Sequence, residues 1–189
     1  WLLTTSTSLI VRLLKIKPAV NTVTEEEIKA VINEGAVSGT IDEGEHEIIE
    51  RVLHLNDRNI TSLMTHRTDV VWIDVNDAAG KDREKIKDAV HSVYPVCDGQ
   101  VDDILGVIYP RDLYLADEGA PIRSLMKKPL FIPENNSAYQ VMEKFKLSKT
   151  NFGFIVDEYG SFQGMITMKD ILEAIVGDMP EADEDDYEI

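Results

Sequence analysis

Apolar positions along the chain fall into short runs and stripes whose spacing predicts a succession of helices and strands. Thr24-Glu25-Glu26-Glu27 has the reciprocal capping pattern of a helix start. Ile28, Val31 and Ile32 continue it as a stripe, and Gly35 is read as its end. A second helix opens over Asp42 to Glu45, with Ile48, Ile49, Val52 and Leu53 on one face, so the two form a helical hairpin. The pattern then changes. Val70-Val71-Trp72-Ile73 reads as a short strand. Ile86, Ala89, Val90 and Val93 give a helical stripe, and Tyr94 to Cys97 and Ile104 to Tyr109 read as strands. Pro110 suits the first turn of the helix that follows. The same order returns: a strand at Leu130-Phe131-Ile132, and a helix with Ala138, Val141, Met142 and Phe145 inward. Strands follow at Phe152 to Val156 and Gly164 to Thr167, then a last helix with Met168, Ile171, Leu172 and Ile175 facing the core and Gly177 as its stop. Each unit is strand, helix, strand, strand, helix, and the fold class is α+β.

Two phrases make the duplication explicit. Ile60-Thr61-Ser62-Leu63-Met64 returns as Ile122-Arg123-Ser124-Leu125-Met126, and Gly106-Val107-Ile108 with Asp112 returns as Gly164-Met165-Ile166 with Asp170. The offsets are 62 and 58 residues, a period at which each copy is one small unit that packs on its neighbour.

Composition narrows what such a pair does. The 189 residues carry a formal charge of −16, and seven acids lie in the last twelve residues, leaving −9 elsewhere. A surface of that sign repels phosphate backbones, so a nucleic-acid role is excluded. The one cysteine, Cys97, permits no internal disulfide and reads as a buried strand residue. His46 stands among glutamates without converging ligands, and no metal set is assigned. The chain opens on Trp1, and the Leu- and Ile-rich stretch to Ile16 contains Arg12 and Lys15. Sixteen residues are short of the ~20 that span a bilayer. The stretch reads as the inner end of a membrane segment of a longer protein, or as a soluble amphipathic helix.

The chemistry is best placed at Thr167-Met168-Lys169-Asp170, where a strand hands over to a helix. Free N–H groups and the helix dipole favour an anion there. Thr167 offers a hydroxyl, Lys169 a positive charge, and Asp170 an acceptor for both hydrogen bonds of a ribose cis-diol. Thr-x-x-Asp is equally the signature of a capping box, which satisfies only backbone donors. The first copy keeps Asp112 but has Tyr109 in place of the threonine, and Pro110 lacks an N–H.

Gly164-Met165-Ile166-Thr167 with Asp170, together with Gly106-Val107-Ile108 and Asp112, resembles a tandem pair of CBS (cystathionine β-synthase) domains, a Bateman module. Met64 to Val70, Tyr94 to Asp98, Val156 to Gly160 and Ile175 to Asp178 resemble the CorC/HlyC hemolysin-like membrane proteins, which relate to the cyclin M transport mediators. The resemblance implies a juxtamembrane segment at 1–17, a helical linker at 18–59, CBS domains at 60–117 and 118–177, and an acidic tail at 178–189. It implies a non-enzymatic regulatory module on the cytoplasmic face of a cation transport or efflux protein. Adenine nucleotide, ATP or AMP with Mg²⁺ accompanying ATP, would lie in the cleft between copies. Asp170 and Asp112 would take ribose, Thr167 a phosphate or sugar oxygen, and Arg67 or Arg111 phosphate. Leu130, Phe131 and Phe154 would line the second adenine pocket, and Val70, Val71 and Pro95 the first. Expected partners are a second copy, as a homodimer, and the protein's own membrane domain. The rival reading is a ligand-free dimerisation scaffold. Two departures from the family pattern stand out: His66 where proline is usual, and Tyr109 where threonine is usual, so the second site is the one expected to be filled.

Overall fold

The computed structural model describes residues 23–76, 91–116 and 120–177. The juxtamembrane segment, most of the helix expected over Ile86 to Val93, and the acidic tail lie outside the described residues. The chain divides into two compact units, residues 1–46 and 47–189.

In the first unit, α1 (Glu25–Val37) starts as expected: Thr24 Oγ1 accepts from Glu27 N–H at 3.3 Å and Glu27 Oε2 accepts from Thr24 N–H at 3.3 Å. The expected stop at Gly35 is corrected. The helix runs on to Val37, and the chain reverses at Gly39, whose φ is +73°. Gly35 serves close approach instead, because a Cβ there would lie 2.7 Å from Ile41 Cδ1. His46 Nε2 lies 2.6 Å from Asn33 Oδ1 and ties the hairpin together. The second helix, α2 (Glu43–His54), begins in this unit and continues into the next.

The second unit contains both copies. Copy 1 is a three-stranded sheet in the order β2–β3–β4, formed by β2 (Ile73–Asp74), β3 (Tyr94–Cys97) and β4 (Ile104–Ile108). It is followed by α3 (Pro110–Leu115) with proline in its first turn, as expected. Copy 2 comprises β5 (Phe131–Pro133), α5 (Ala138–Ser148), β6 (Phe152–Val156), β7 (Phe162–Thr167) and α6 (Met168–Val176). The strand expected over Val70 to Ile73 is shorter than the run. Val70 packs into one apolar layer and Val71 against another, and only Ile73–Asp74 reaches a partner, pairing parallel with β3. Leu172 is also corrected: it is exposed, and Ala174 joins Ile171 as a buried residue of α6. Successive helical residues are about 100° apart, so Leu172 stands a quarter-turn from Ile171, on the flank of the stripe.

An unexpected strand, β1 (Thr65–His66), joins the second copy's sheet, whose order is β1–β7–β6–β5. Two exposed polar residues carry no periodic signal. They pair because Gly164 leaves room: a Cβ there would run into the Thr65 carbonyl. Copy 1 does the reciprocal thing through α4 (Ile122–Leu125) and the bridge between Val107 and Lys127, where a Cβ on Gly106 would lie 2.9 Å from Lys127 O. The segment before each copy therefore packs on the other copy. Ile60 is buried in the second core with Ile132, Phe145, Ile155 and Ile171, and Ile122 in the first with Ile73, Tyr94, Val96 and Ile108. A third layer, the seam, joins Val70, Val93 and Val107 of copy 1 to Phe152, Phe154 and Phe162 of copy 2. Strand residues alternate between their own core and the seam, as the two-residue period of a pleated sheet requires.

The far end of α6 is also held. Arg51 Nη1 donates to Ile175 O at 3.5 Å and Arg58 Nη1 to Ala174 O at 3.3 Å, placing two cations on the negative end of the helix dipole.

Candidate functional site

The second helix start is built by the antiparallel pairing of β6 with β7, which sets Phe152 opposite Thr167 and Phe154 opposite Met165. Thr167 leaves the strand in an extended conformation and caps α6. Its N–H donates to Asp170 Oδ2 at 2.7 Å, its hydroxyl donates to the same oxygen at 3.0 Å, and Asp170 N–H donates to Thr167 Oγ1 at 3.3 Å. The capping reading of this motif is thus met. Asp170 Oδ2 is engaged in the cap, while Oδ1 accepts from no described residue. Burial pushes the Asp170 carboxyl above its usual range, opposed by the hydrogen bonds from Thr167. Lys169, on the exposed side of the same turn, lies 3.5 Å from Glu173.

Strand register brings two of the expected adenine-pocket residues, Phe131 and Phe154, to the same sheet face, and leaves Leu130 on the other. β5 pairs with β6 so that Phe131 stands beside Phe154, their ring centroids 5.9 Å apart. Phe154 is fully buried in an aromatic chain with Phe152 at 6.1 Å and Phe162 at 5.8 Å. Phe154 is therefore a seam residue, while Phe131 is 45% exposed. Leu130 packs partly buried against the second core.

The first helix start is different. Tyr109 precedes α3 and makes no side-chain cap. Asp112 Oδ2 lies 2.6 Å from Lys127 Nζ, and the same ammonium sits 4.4 Å from the Tyr109 ring centroid. The pairing with Lys127 holds the Asp112 carboxyl below its usual range. Tyr109 meets Phe152 edge-on at 6.0 Å. Val70 and Pro95 are buried beside the seam, Pro95 opposite Val107. Arg67 is not brought to either helix start. Its guanidinium bonds Asp102 Oδ2 at 2.6 Å and the Phe162 carbonyl at 3.2 Å. Arg111 is exposed, 3.8 Å from Asp112. His66 pairs with Gly164 in the ladder, and its ring lies 3.0 Å from Thr68 Oγ1. Lys127 is the residue that sequence reasoning missed. It directly follows the second Ile-x-Ser-Leu-Met phrase, as Thr65 follows the first, and extending that alignment by one position finds it. Cys97 is buried as expected, and burial pushes its thiol up to about 12.

The comparisons agree with this architecture. The family model for the CBS domain matches residues 122–177. A solved CBS domain of a bacterial CNNM/CorC family Mg²⁺ transporter superposes with a TM-score of 0.78, is 29% identical, and covers 84% of this chain and 99% of its own. The chain belongs to the CBS-domain family. The same transporter domain in complex with ATP matches at a TM-score of 0.67 with 28% identity, over 71% of this chain and 99% of its own. A CBS-domain pair with bound AMP from Klebsiella pneumoniae matches at 0.57 with 28% identity, over 64% and 99%. Among curated proteins, a UPF0053 protein of Synechocystis sp. is 37% identical over 97% of this chain and 42% of its own length. A polyamine export protein of Salmonella typhimurium is 31% identical over 95% and 41%. The chain thus spans less than half the length of these two relatives. Among the described residues, no helix of the CBS-domain chain is long and apolar enough to cross a membrane, and no group of three or more His, Cys, Asp or Glu side chains could hold a metal ion.

Proposed function

We propose that this chain is the regulatory part of a membrane transport protein and binds adenine nucleotide at the second helix start. Asp170 accepts the ribose hydroxyls, Thr167 serves a phosphate or sugar oxygen, and the exposed Phe131 ring takes one face of the base. The carrying observation is that Asp170 is fixed by its cap through Oδ2 and retains Oδ1 for a ligand. The ATP- and AMP-bound relatives support the ligand class. Mg²⁺ would arrive with a triphosphate, whose charge it screens in a chain of net charge −16. The relatives are a Mg²⁺ transporter and a polyamine export protein, so the membrane part is assigned a cationic substrate. The module itself is a non-enzymatic homodimer at the cytoplasmic face. A nucleotide acts on it only through its different affinities for two arrangements of the copies.

Calorimetry with ATP, ADP and AMP, with and without Mg²⁺, tests this. Asp170→Ala should weaken ribose-dependent binding by about 1.5–3 kcal/mol, the range for hydrogen bonds to a charged group. Asp170→Asn, which keeps a cap acceptor, separates ligand loss from helix fraying. A second reading, the ligand-free scaffold, draws on the same cap, since Thr167 and Asp170 already satisfy each other. A folded dimer that binds no millimolar nucleotide would decide for the scaffold.

A further inference from the structure

The two copies differ at two corresponding positions beside their helix starts. Ladder pairing sets Thr65 against Met165 in copy 2 and Lys127 against Val107 in copy 1. Met165 and Val107 are repeat partners, so Lys127 is the counterpart of Thr65, as Tyr109 is of Thr167. The backbone of Lys127 is fixed: Val107 N–H donates to Lys127 O at 3.0 Å and Lys127 N–H donates to Val107 O at 2.9 Å. From there its ammonium reaches Asp112 Oδ2 at 2.6 Å and lies 4.4 Å from the centre of the Tyr109 ring, which abuts Phe152. A continuous line of contacts, Asp112 to Lys127 to Tyr109 to Phe152, runs from the first helix start into the seam.

We propose that Lys127 and Tyr109 close the first site to nucleotide, so that one chain holds one nucleotide, at the second helix start. Lys127 pairs with Asp112 Oδ2 at 2.6 Å while Arg111 Nε stands 3.8 Å from Oδ1, so both carboxylate oxygens face a cation, and Tyr109 replaces a threonine hydroxyl with a ring seated in the seam. This rests on the nucleotide reading above. A half-exposed ion pair alone is weak. The ring supplies the rest, because a ligand must break the ion pair, the cation–ring contact and the aromatic contact together.

The test transplants copy 2 into copy 1. Calorimetric stoichiometry with AMP and with ATP–Mg²⁺ should be one per chain for the wild type and two for Tyr109→Thr/Lys127→Thr. Adding Asp170→Asn to that double variant should return it to one, now removed by Asp112→Asn. The affinity of the untouched second site reports that the variant is folded. Two equivalents on the wild type, or one on the double variant with second-site affinity unchanged, overturns the proposal. If the wild type binds none and the double variant binds one that needs Asp112, closure stands and the second-site reading fails. If neither binds, both fail.

Discussion

The starts of α6 and α3 are duplicates of one design that have parted. At α6 a threonine and an aspartate cap each other. At α3 a tyrosine leaves the helix uncapped, and the aspartate turns to a lysine from the neighbouring segment. Equivalent positions in the repeat therefore do not give identical chemistry. What differs is what surrounds the acidic side chain: the cap of its own helix at α6, and two cations, Lys127 and Arg111, at α3.

The contrast extends to the seam, where copy 2 supplies three buried phenylalanines and copy 1 three valines. Phe154→Ala should cost about 3–5 kcal/mol by chemical denaturation. Val107→Ala, which removes two carbons from the same layer, should cost about 2 kcal/mol. Equal losses would break the asymmetry. The crossing glycines come next. Each new methyl meets a backbone carbonyl and a methionine; Gly164→Ala should cost about 3 kcal/mol, because the Thr65 carbonyl lies closer to it, and Gly106→Ala about 1–2 kcal/mol, because the Lys127 carbonyl stands 2.9 Å off. Thermal or denaturant melts rank the two. Thr167→Ala should cost about 1 kcal/mol as a lost cap, while Tyr109→Ala loses no cap at all.

The smallest effect is in titration. Asp170 should ionise above, and Asp112 below, the usual carboxylate value of about 3.9, as read by carboxyl-carbon NMR. The signs for stability are opposite. Asp112's contribution is present above the ordinary value and lost as pH falls through its depressed one. Asp170's is present below the ordinary value and lost as pH rises through its raised one. Lys127→Ala should bring Asp112 back toward normal and leave Asp170 unmoved. Nucleotide affinity should fall on acidification through the Asp170 transition, since a protonated carboxyl accepts poorly from a diol.

Much of this architecture was legible in the residues. The capping patterns at Thr24 and Thr167, the stripe of α5 and proline opening α3 all act locally, within three or four residues, and each appears as read. What escaped is long-range. β1 is two polar residues that become a strand only because Gly164 lies opposite. Gly35 looks like a helix stop but makes room for Ile41. Arg67 reads as a free cation until the fold brings Asp102 to it. At the site, the repeat disclosed Asp112 and Asp170 as equivalents, but the lysine that separates them comes from a segment on the far side of the copy boundary.

The crossing of segments has a mechanical consequence. Following the chain out of α2, Leu55 and Ile60 are anchored in the second core and Thr65 in the second sheet, while Arg51 and Arg58 hold the end of α6. A tug or twist entering along that route is therefore delivered to the later half of the molecule before the earlier half feels it. A single nine-residue helix thus carries Thr167 and Asp170 at its start and is gripped by this route at its end.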